Sequence, residues 1–295
     1  MGHVDSGSDA GRMDTSEETN RRDFPSKSLR NRAAIALYGV RSEAELLLDS
    51  RYRKLAKDYR FPDGSRRVYF HHIRKTAGTS LFLAFLSLGG EDPTDVWRRL
   101  NSDRLVRTIS GNYSFVSMNR RVLREGAYFF GQSHSSVDQL QLPPSTFTVT
   151  ILRDPLRRAH SLFDYLAAGD APGTPGGIGI NDRIWALDGF DNFLERVPQH
   201  HLLNQLWMFS RKLDVSEAAA RVAEYSSVFF TEDYADSLPK LNEQLGLSLP
   251  LLRARVTSTR SELTEQQMER LRDRLEPEYA FLERLADMGI APTGS

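Results

Sequence analysis

Cysteine is missing from all 295 residues, which excludes disulfides, thiol catalysis and thiolate metal sites and fits a reducing compartment. Net charge is missing too. The 39 Lys and Arg balance 39 Asp and Glu, so nothing marks the chain as a general polyanion binder, although a local basic groove is compatible with that balance. Lysine is scarce, with six residues against thirty-three arginines. No apolar run approaches the length of a membrane span, and the first residues lack the apolar core of a signal peptide. The expectation is a soluble, cytoplasmic protein with no membrane span, no nucleic-acid partner and no metal site. Oligomeric state is not written in the sequence.

What is present is organised around residues 68–88. A short apolar run, Val68, Tyr69, Phe70 and Ile73, reaches a small polar turn, Lys75-Thr76-Ala77-Gly78-Thr79-Ser80. Beyond it Leu81, Ala84, Phe85 and Leu88 share one face at helical spacing. Strand, tight loop and helix start predict a site for phosphate or sulfate, because the first N–H groups of a helix lack intrahelical partners and the helix dipole favours negative charge there. Lys75 stands where it can touch such an anion. A plain βα loop carrying a solvated lysine is the alternative.

The rest of the chain reads as alternating strands and helices. Residues 1–27 carry almost no apolar content and are expected to form a disordered tail. Two amphipathic helices broken at Gly39 are predicted over 28–59, then a turn at Phe61-Pro62-Asp63-Gly64 and a strand at about 67–73. Residues 91–125 read only as mixed short helix and loop. A second buried strand over 127–134 ends on polar groups at His134, and a third over 146–152 runs into Arg153-Asp154-Pro155. Asp154 as N-cap and Pro155 at the first helical position start the next helix. The Gly- and Pro-rich stretch 169–182 is expected to be a lid-like loop. Helices follow, with a strand at 227–231, a helix near 233–245, and a closing helix opened by the Thr264–Gln267 capping box and bent at Pro277. One α/β domain over 28–290 with at least four strands is the economical reading.

Two segments resemble one family. His72-Ile73-Arg74-Lys75-Thr76-Ala77-Gly78-Thr79-Ser80 is similar to the 5′-phosphosulfate loop of the sulfotransferases that act on carbohydrates and related hydroxyl groups, the heparan sulfate 2-O-sulfotransferase type, with Arg74 where the family usually has proline. Leu152-Arg153-Asp154-Pro155, followed by Arg158, Ser161, Phe163 and Tyr165, resembles the same family's 3′-phosphate motif. The resemblance extends weakly through Asn204-Gln205, 229–245 and 279–285, over roughly residues 66–288. It implies a P-loop-like parallel sheet flanked by helices, 3′-phosphoadenosine 5′-phosphosulfate (PAPS) as donor with PAP as product, and a hydroxylated acceptor. Lacking cysteines and an anchor, the chain would be a bacterial member.

By that resemblance Lys75 attends the leaving phosphate and Thr76, Ala77, Gly78, Thr79 and Ser80 cradle the 5′ end. Arg153 and Ser161 hold the 3′-phosphate, and Arg260 contributes near the adenine. The residue types suit the task, since sulfuryl transfer, like phosphoryl transfer, asks the protein mainly to align its reactants and to stabilise charge. A structural ion pair for Arg153 and a plain helix-face position for Ser161 are the alternatives. The acceptor needs a base, and the local candidate is His134, with the family's preceding glycine displaced to Gly131. A satisfied core histidine is the other reading of His134. His72 is expected to point into packing, and His160, His200 and His201 to be surface or helix residues. A P-loop kinase would need a Gly-Lys-Ser/Thr string that does not occur here. A protein that binds a nucleotide or glycan without catalysis stays open.

Overall fold

The apolar run after the Phe61–Gly64 turn forms strand β1 (Arg67–His71), which lies inside the sheet with a parallel neighbour on each side. The computed structural model describes residues 50–102, 107–168, 180–254 and 261–292, which belong to the larger of two units of the chain, Glu45–Ser295. The expected tail, the helix before Gly39, most of the 169–182 loop and Arg260 fall outside the described residues.

Helix α1 (Ser50–Asp58) precedes β1, and α2 (Gly78–Ser87) and α3 (Pro93–Ser102) follow it. Then come β2 (Arg107–Ser110), β3 (Tyr113–Ser117), α4 (Arg120–Glu125), β4 (Phe130–Ser133), β5 (Thr146–Leu152) and α5 (Pro155–Ala168). Short helices α6 (Ile180–Arg183), α7 (Phe190–Arg196), α8 (Gln199–Leu202) and α9 (Asn204–Phe209) lead to α10 (Val215–Ala223), β6 (Ser227–Phe230), α11 (Tyr234–Leu245) and α12 (Glu265–Asp287). The strand order is β2-β3-β4-β1-β5-β6, parallel throughout except for the antiparallel β2–β3 pair at one edge. This is an α/β sheet flanked by helices. Residues 91–125 depart from the sequence reading, because they hold a hairpin closed by Gly111-Asn112 and flanked by two helices.

Alternation along β1 explains the layering, since successive side chains of a strand face opposite sides. Val68 and Phe70 pack with Leu81, Phe85, Phe130, Val149 and Leu241 in the core beneath α2 and α11. Tyr69 joins Val116, Val122, Leu123 and Tyr128 on the opposite face under α4. His71, on the same side as Tyr69, is fully buried, bonds Tyr225 Oη through Nδ1 at 2.6 Å, and is pulled by burial down to about 3, so it stays neutral. Ile73, Leu152, Phe209 and Phe281 form a core with α9, α10 and α12, and α5 packs on α7 and α12 through Leu162, Phe163, Phe193 and Leu275. The carboxyl ends of the parallel strands therefore meet along one rim, where ligands bind in sheets of this construction.

Candidate functional site

Lys75 and Ala77, both non-glycine, hold left-handed backbone angles with φ of 70° and 60° in the loop that leaves β1. Such residues cost on the order of 1–3 kcal/mol each and persist where the surroundings force them. Thr76 is buried, and its hydroxyl donates to the Ile73 carbonyl at 3.0 Å, pinning the loop from beneath. Ala77 stands at the N-cap of α2 and has no side chain to accept from the first N–H groups of that helix. Left-handed residues in a turn that opens a helix are a setting in which backbone N–H groups form an anion nest, and here the Ser80 N–H is already taken by the Ala77 carbonyl at 2.9 Å, which leaves the N–H groups before it for a ligand. Ser80, also buried, accepts at Oγ from the Ala254 amide at 3.0 Å, fastening the nest to the segment after α11.

Gly78 is required by what lies against it. A Cβ there would fall 2.3 Å from Cδ2 and from Nε2 of His72, and 2.8 Å from Phe70 Cζ. Gly78→Ala is expected to displace the His72 ring and to cost about 1–3 kcal/mol as an overpacking change. Thermal unfolding and steady-state rates on the variant check both effects.

The nest opens into a cleft of about 700 Å³, a volume that suits a nucleotide-sized ligand. Lys75, Ala77, Gly78, Thr79, Ser80, His134, Arg153 and Ser161 all line it. Of the sequence-derived candidates, Thr76 contributes from below the surface and Arg260 is outside the described residues. Ser261, next after Arg260, is held on α5 by Asp164 Oδ1, which accepts from its amide at 3.1 Å, and by His160 Nε2 at 2.9 Å from its Oγ. His160 is therefore a buried helix residue.

The two motifs touch. Arg153 Nη1 donates to the Lys75 carbonyl at 3.0 Å, across 78 residues of chain. Asp154 caps α5 as its sequence position predicts, accepting from the Arg157 amide at 2.7 Å. The Arg153 backbone is clasped on both sides by Gln205: its N–H donates to Oε1 at 2.8 Å and its carbonyl accepts from Nε2 at 2.9 Å. Gln205 in turn rests on Glu278, which accepts from the Gln205 amide at 2.7 Å and from Nε2 at 3.2 Å, and which pairs with Arg158 Nε at 3.4 Å. Gln205, Glu278 and Arg158 are wholly buried. The Lys75 ammonium lies 4.2 Å from the centre of the Tyr165 ring, a cation–π contact with α5, and both residues line the cleft.

Two imidazoles stand together beside the nest. His134 Nδ1 bonds the His72 carbonyl, and a carbonyl only accepts, so Nδ1 carries the proton and Nε2 is left as an acceptor. Burial, with Arg74 nearby, pulls His134 down to about 4. The His72 ring centre is 4.5 Å from that of His134. His72 packs as expected, its ring stacked on Phe70 at 4.9 Å, and it also lines the cleft. Its Nδ1 is 3.0 Å from Gln132 Oε1, while Gln132 Nε2 donates to Ser117 Oγ at 2.6 Å.

Arg74 pairs with Asp182 at 3.2 Å, so the residue standing in place of proline joins the nest to α6. Sequence reading missed Gln132, Asp182 and Glu278. The only signal for Gln132 was that an apolar strand ended on polar residues.

No family model matches the chain, and no curated protein matches it. Among solved structures, mouse sulfotransferase SULT7A1 complexed with PAP shares 12% identity, with 77% of this chain and 69% of that one covered and a TM-score of 0.33. A sulfotransferase from Alicyclobacillus acidocaldarius shares 13% identity, with 78% of this chain and 98% of that one covered and a TM-score of 0.35. At these identities and scores neither likeness carries an argument about this chain.

Proposed function

We propose that the domain over 28–290 is a sulfotransferase that moves the sulfuryl group of PAPS in line to a hydroxyl of a carbohydrate or small-molecule acceptor. The observation that carries this reading is the 3.0 Å bond between Arg153 and the Lys75 carbonyl, which joins two anion-binding elements at one cleft. The nest at 76–80, the lone lysine at its mouth and an arginine fixed at the next strand end match a donor with phosphate groups at both ends. When bound, PAPS supplies an activated sulfuryl group and a phosphate leaving group.

The chain's own residues do the rest. The N–H groups of Gly78 and Thr79, with the hydroxyls of Thr79 and Ser80, hold the 5′-phosphate, and Lys75 neutralises charge that grows there as the bond to sulfur breaks. Arg153, stiffened by Gln205, and Ser161 hold the 3′-phosphate through charge-assisted hydrogen bonds. His134 Nε2 takes the acceptor's proton.

Calorimetric titration with PAP and with ATP, together with transfer of labelled sulfate from PAPS to a panel of hydroxylated acceptors, tests the proposal. PAP is expected to bind and ATP to bind far more weakly. Arg153→Ala is expected to weaken PAP by about 10²-fold, the loss of a hydrogen-bonded charge pair being worth roughly 2–3 kcal/mol. Equal affinity of parent and variant for PAP would remove the 3′-phosphate assignment. Tight ATP binding with phosphoryl transfer would make the protein a kinase.

A further inference from the structure

We infer that the acceptor is a neutral phenol or a similarly flat, apolar hydroxylated compound, seated in the part of the cleft that Met118 and α3 line, and not an anionic polysaccharide. The inference rests on the sulfotransferase reading and deepens it. Strand order divides the cleft. On that reading the nucleotide runs from the nest after β1 to Arg153 after β5 and Ser161 on α5, so it fills the β5 side. β4 and β3 lie on the other side of β1, where in-line transfer puts the acceptor, on the side of His134. There the cleft is lined by Phe82 on α2, Trp97 and Asn101 on α3, and Ser117, Met118 and Gln132 at the ends of β3 and β4.

None of these side chains is charged. Among the described residues, the charged side chains of the cleft come from the nest loop, Arg153 and α5, α6, and the segments beyond β6 and α11. Arg74, the cation beside His134, is paired with Asp182 at 3.2 Å. A polyanion therefore meets no complementary charge on the elements that would have to hold it.

Met118 carries the argument furthest. Its side chain is 47% exposed at the cleft, and its backbone holds a left-handed φ of 62°, a conformation that methionine seldom adopts. The fold fixes it there, because the Met118 amide donates to the Gln132 carbonyl at 2.9 Å and the next residue, Asn119, caps α4. An uncovered thioether in a cleft is a soft, polarisable surface of the kind that takes flat rings. On α3, Trp97 and Asn101 are four residues apart and share a face, and the Trp97 ring meets Phe82 edge-on at 6.0 Å.

A sugar suits this wall poorly. It brings a hydroxyl at almost every carbon, and each one buried without a partner costs free energy. Phe82 and Met118 offer no hydrogen bond to a hydroxyl, and Gln132 is engaged at both ends, by Ser117 Oγ at 2.6 Å and His72 Nδ1 at 3.0 Å. The base points the same way. Burial pulls His134 down to about 4, and so weak a base suits an acidic hydroxyl. A phenol, like tyrosine, ionises at about pH 10, well below an alkanol. The phenolic oxygen bonds to sulfur as the bond from sulfur to the 5′-phosphate oxygen breaks. The bonding pair stays on that phosphate, and the phenolic proton passes to His134 Nε2.

Transfer of labelled sulfate from PAPS to 2-naphthol, to maltose and to an N-sulfated heparin oligosaccharide tests the assignment. kcat/KM for 2-naphthol is expected to exceed that for either carbohydrate by about 10²-fold or more. Met118→Asn suits a left-handed backbone at an exposed position. It is expected to raise KM for 2-naphthol about tenfold, to keep PAP affinity within about threefold of the parent, and not to lower Tm. Equal or higher kcat/KM on either carbohydrate, no transfer to 2-naphthol by a parent that binds PAP, or an unchanged KM in Met118→Asn would each overturn the inference. So would equal losses of PAP and 2-naphthol, which would put Met118 on the nucleotide. A parent that binds neither PAPS nor PAP would overturn the sulfotransferase reading itself, a failure seen before any acceptor is added.

Discussion

Lys75→Ala is expected to lower kcat for sulfuryl transfer by about 10³-fold while PAP affinity falls only about tenfold. The difference follows from where charge appears. On the proposed reading the 5′-phosphate is already served by the N–H groups at the start of α2. Negative charge grows on the bridging oxygen only as the bond to sulfur breaks, and an ammonium held beside it acts on that growth. The backbone of Lys75 is held in a left-handed conformation that most residues avoid, its carbonyl accepts from Arg153, and its ammonium rests 4.2 Å from the Tyr165 ring centre. Methylene length, charge and backbone angle are all set at one position, so Ala substitution removes the group without emptying the nest. Initial rates with saturating PAPS and calorimetry with PAP separate the two effects. A variant at near-normal rate would take Lys75 out of the chemistry.

Glu278→Ala is expected to be the most damaging single change to the scaffold, although Glu278 touches no part of the cleft. Its carboxylate is wholly buried and accepts from Arg158 Nε at 3.4 Å, from Gln205 N at 2.7 Å and Nε2 at 3.2 Å, and from Leu206 N at 3.4 Å. Removing it takes the only carboxylate from the buried Arg158 among its described contacts, leaving it the His201 and Leu202 carbonyls, and breaking a buried pair from one side costs about 3–5 kcal/mol. In a domain of this size that is about 10 °C or more in Tm. Gln205 loses its footing at the same time, so Arg153 is no longer clasped and PAP affinity is expected to fall. Glu278→Gln, which keeps an acceptor near Arg158 but not the charge, is expected to lie between Ala and the parent in both measurements. Differential scanning calorimetry with and without PAP checks the pair. An unshifted Tm for Glu278→Ala would show that the network is slack.

Strands β1 and β5 were legible because Val68–Phe70 is an apolar run of the kind a parallel strand buried on both faces shows, and Phe147–Leu152 is apolar and β-branched throughout, with Thr148 and Thr150 alternating with Phe147, Val149 and Ile151. The hairpin of β2 and β3 was not. Its strands are four and five residues long, Arg-Thr-Ile-Ser and Tyr-Ser-Phe-Val-Ser, too short and too rich in Ser and Thr to stand out, and β3 is joined to the sheet by pairing with β4. Lys75, Gly78 and Arg153 could be picked out as candidates because each sits at a strand-to-helix junction, and all three line the cleft. Gln205 with Glu278, and Arg74 with Asp182, could not be read as pairs, since each joins residues 73 and 108 apart and only the folded chain brings them together. His72 does pack, on Phe70 and Gly78, and its position at the cleft as well was not legible for a related reason. Period two along β1 sends Phe70 and His72 to the same side, but β1 ends at His71, and past that end this side faces the cleft.

The central claim is that one nucleotide bridges the nest and the Arg153 corner, and a crystal structure with PAP bound tests it most directly. The 5′-phosphate is expected on the N–H groups of 76–79 within reach of Lys75, and the 3′-phosphate against Arg153 and Ser161. PAP lying elsewhere, or with only one phosphate in these two places, would contradict it.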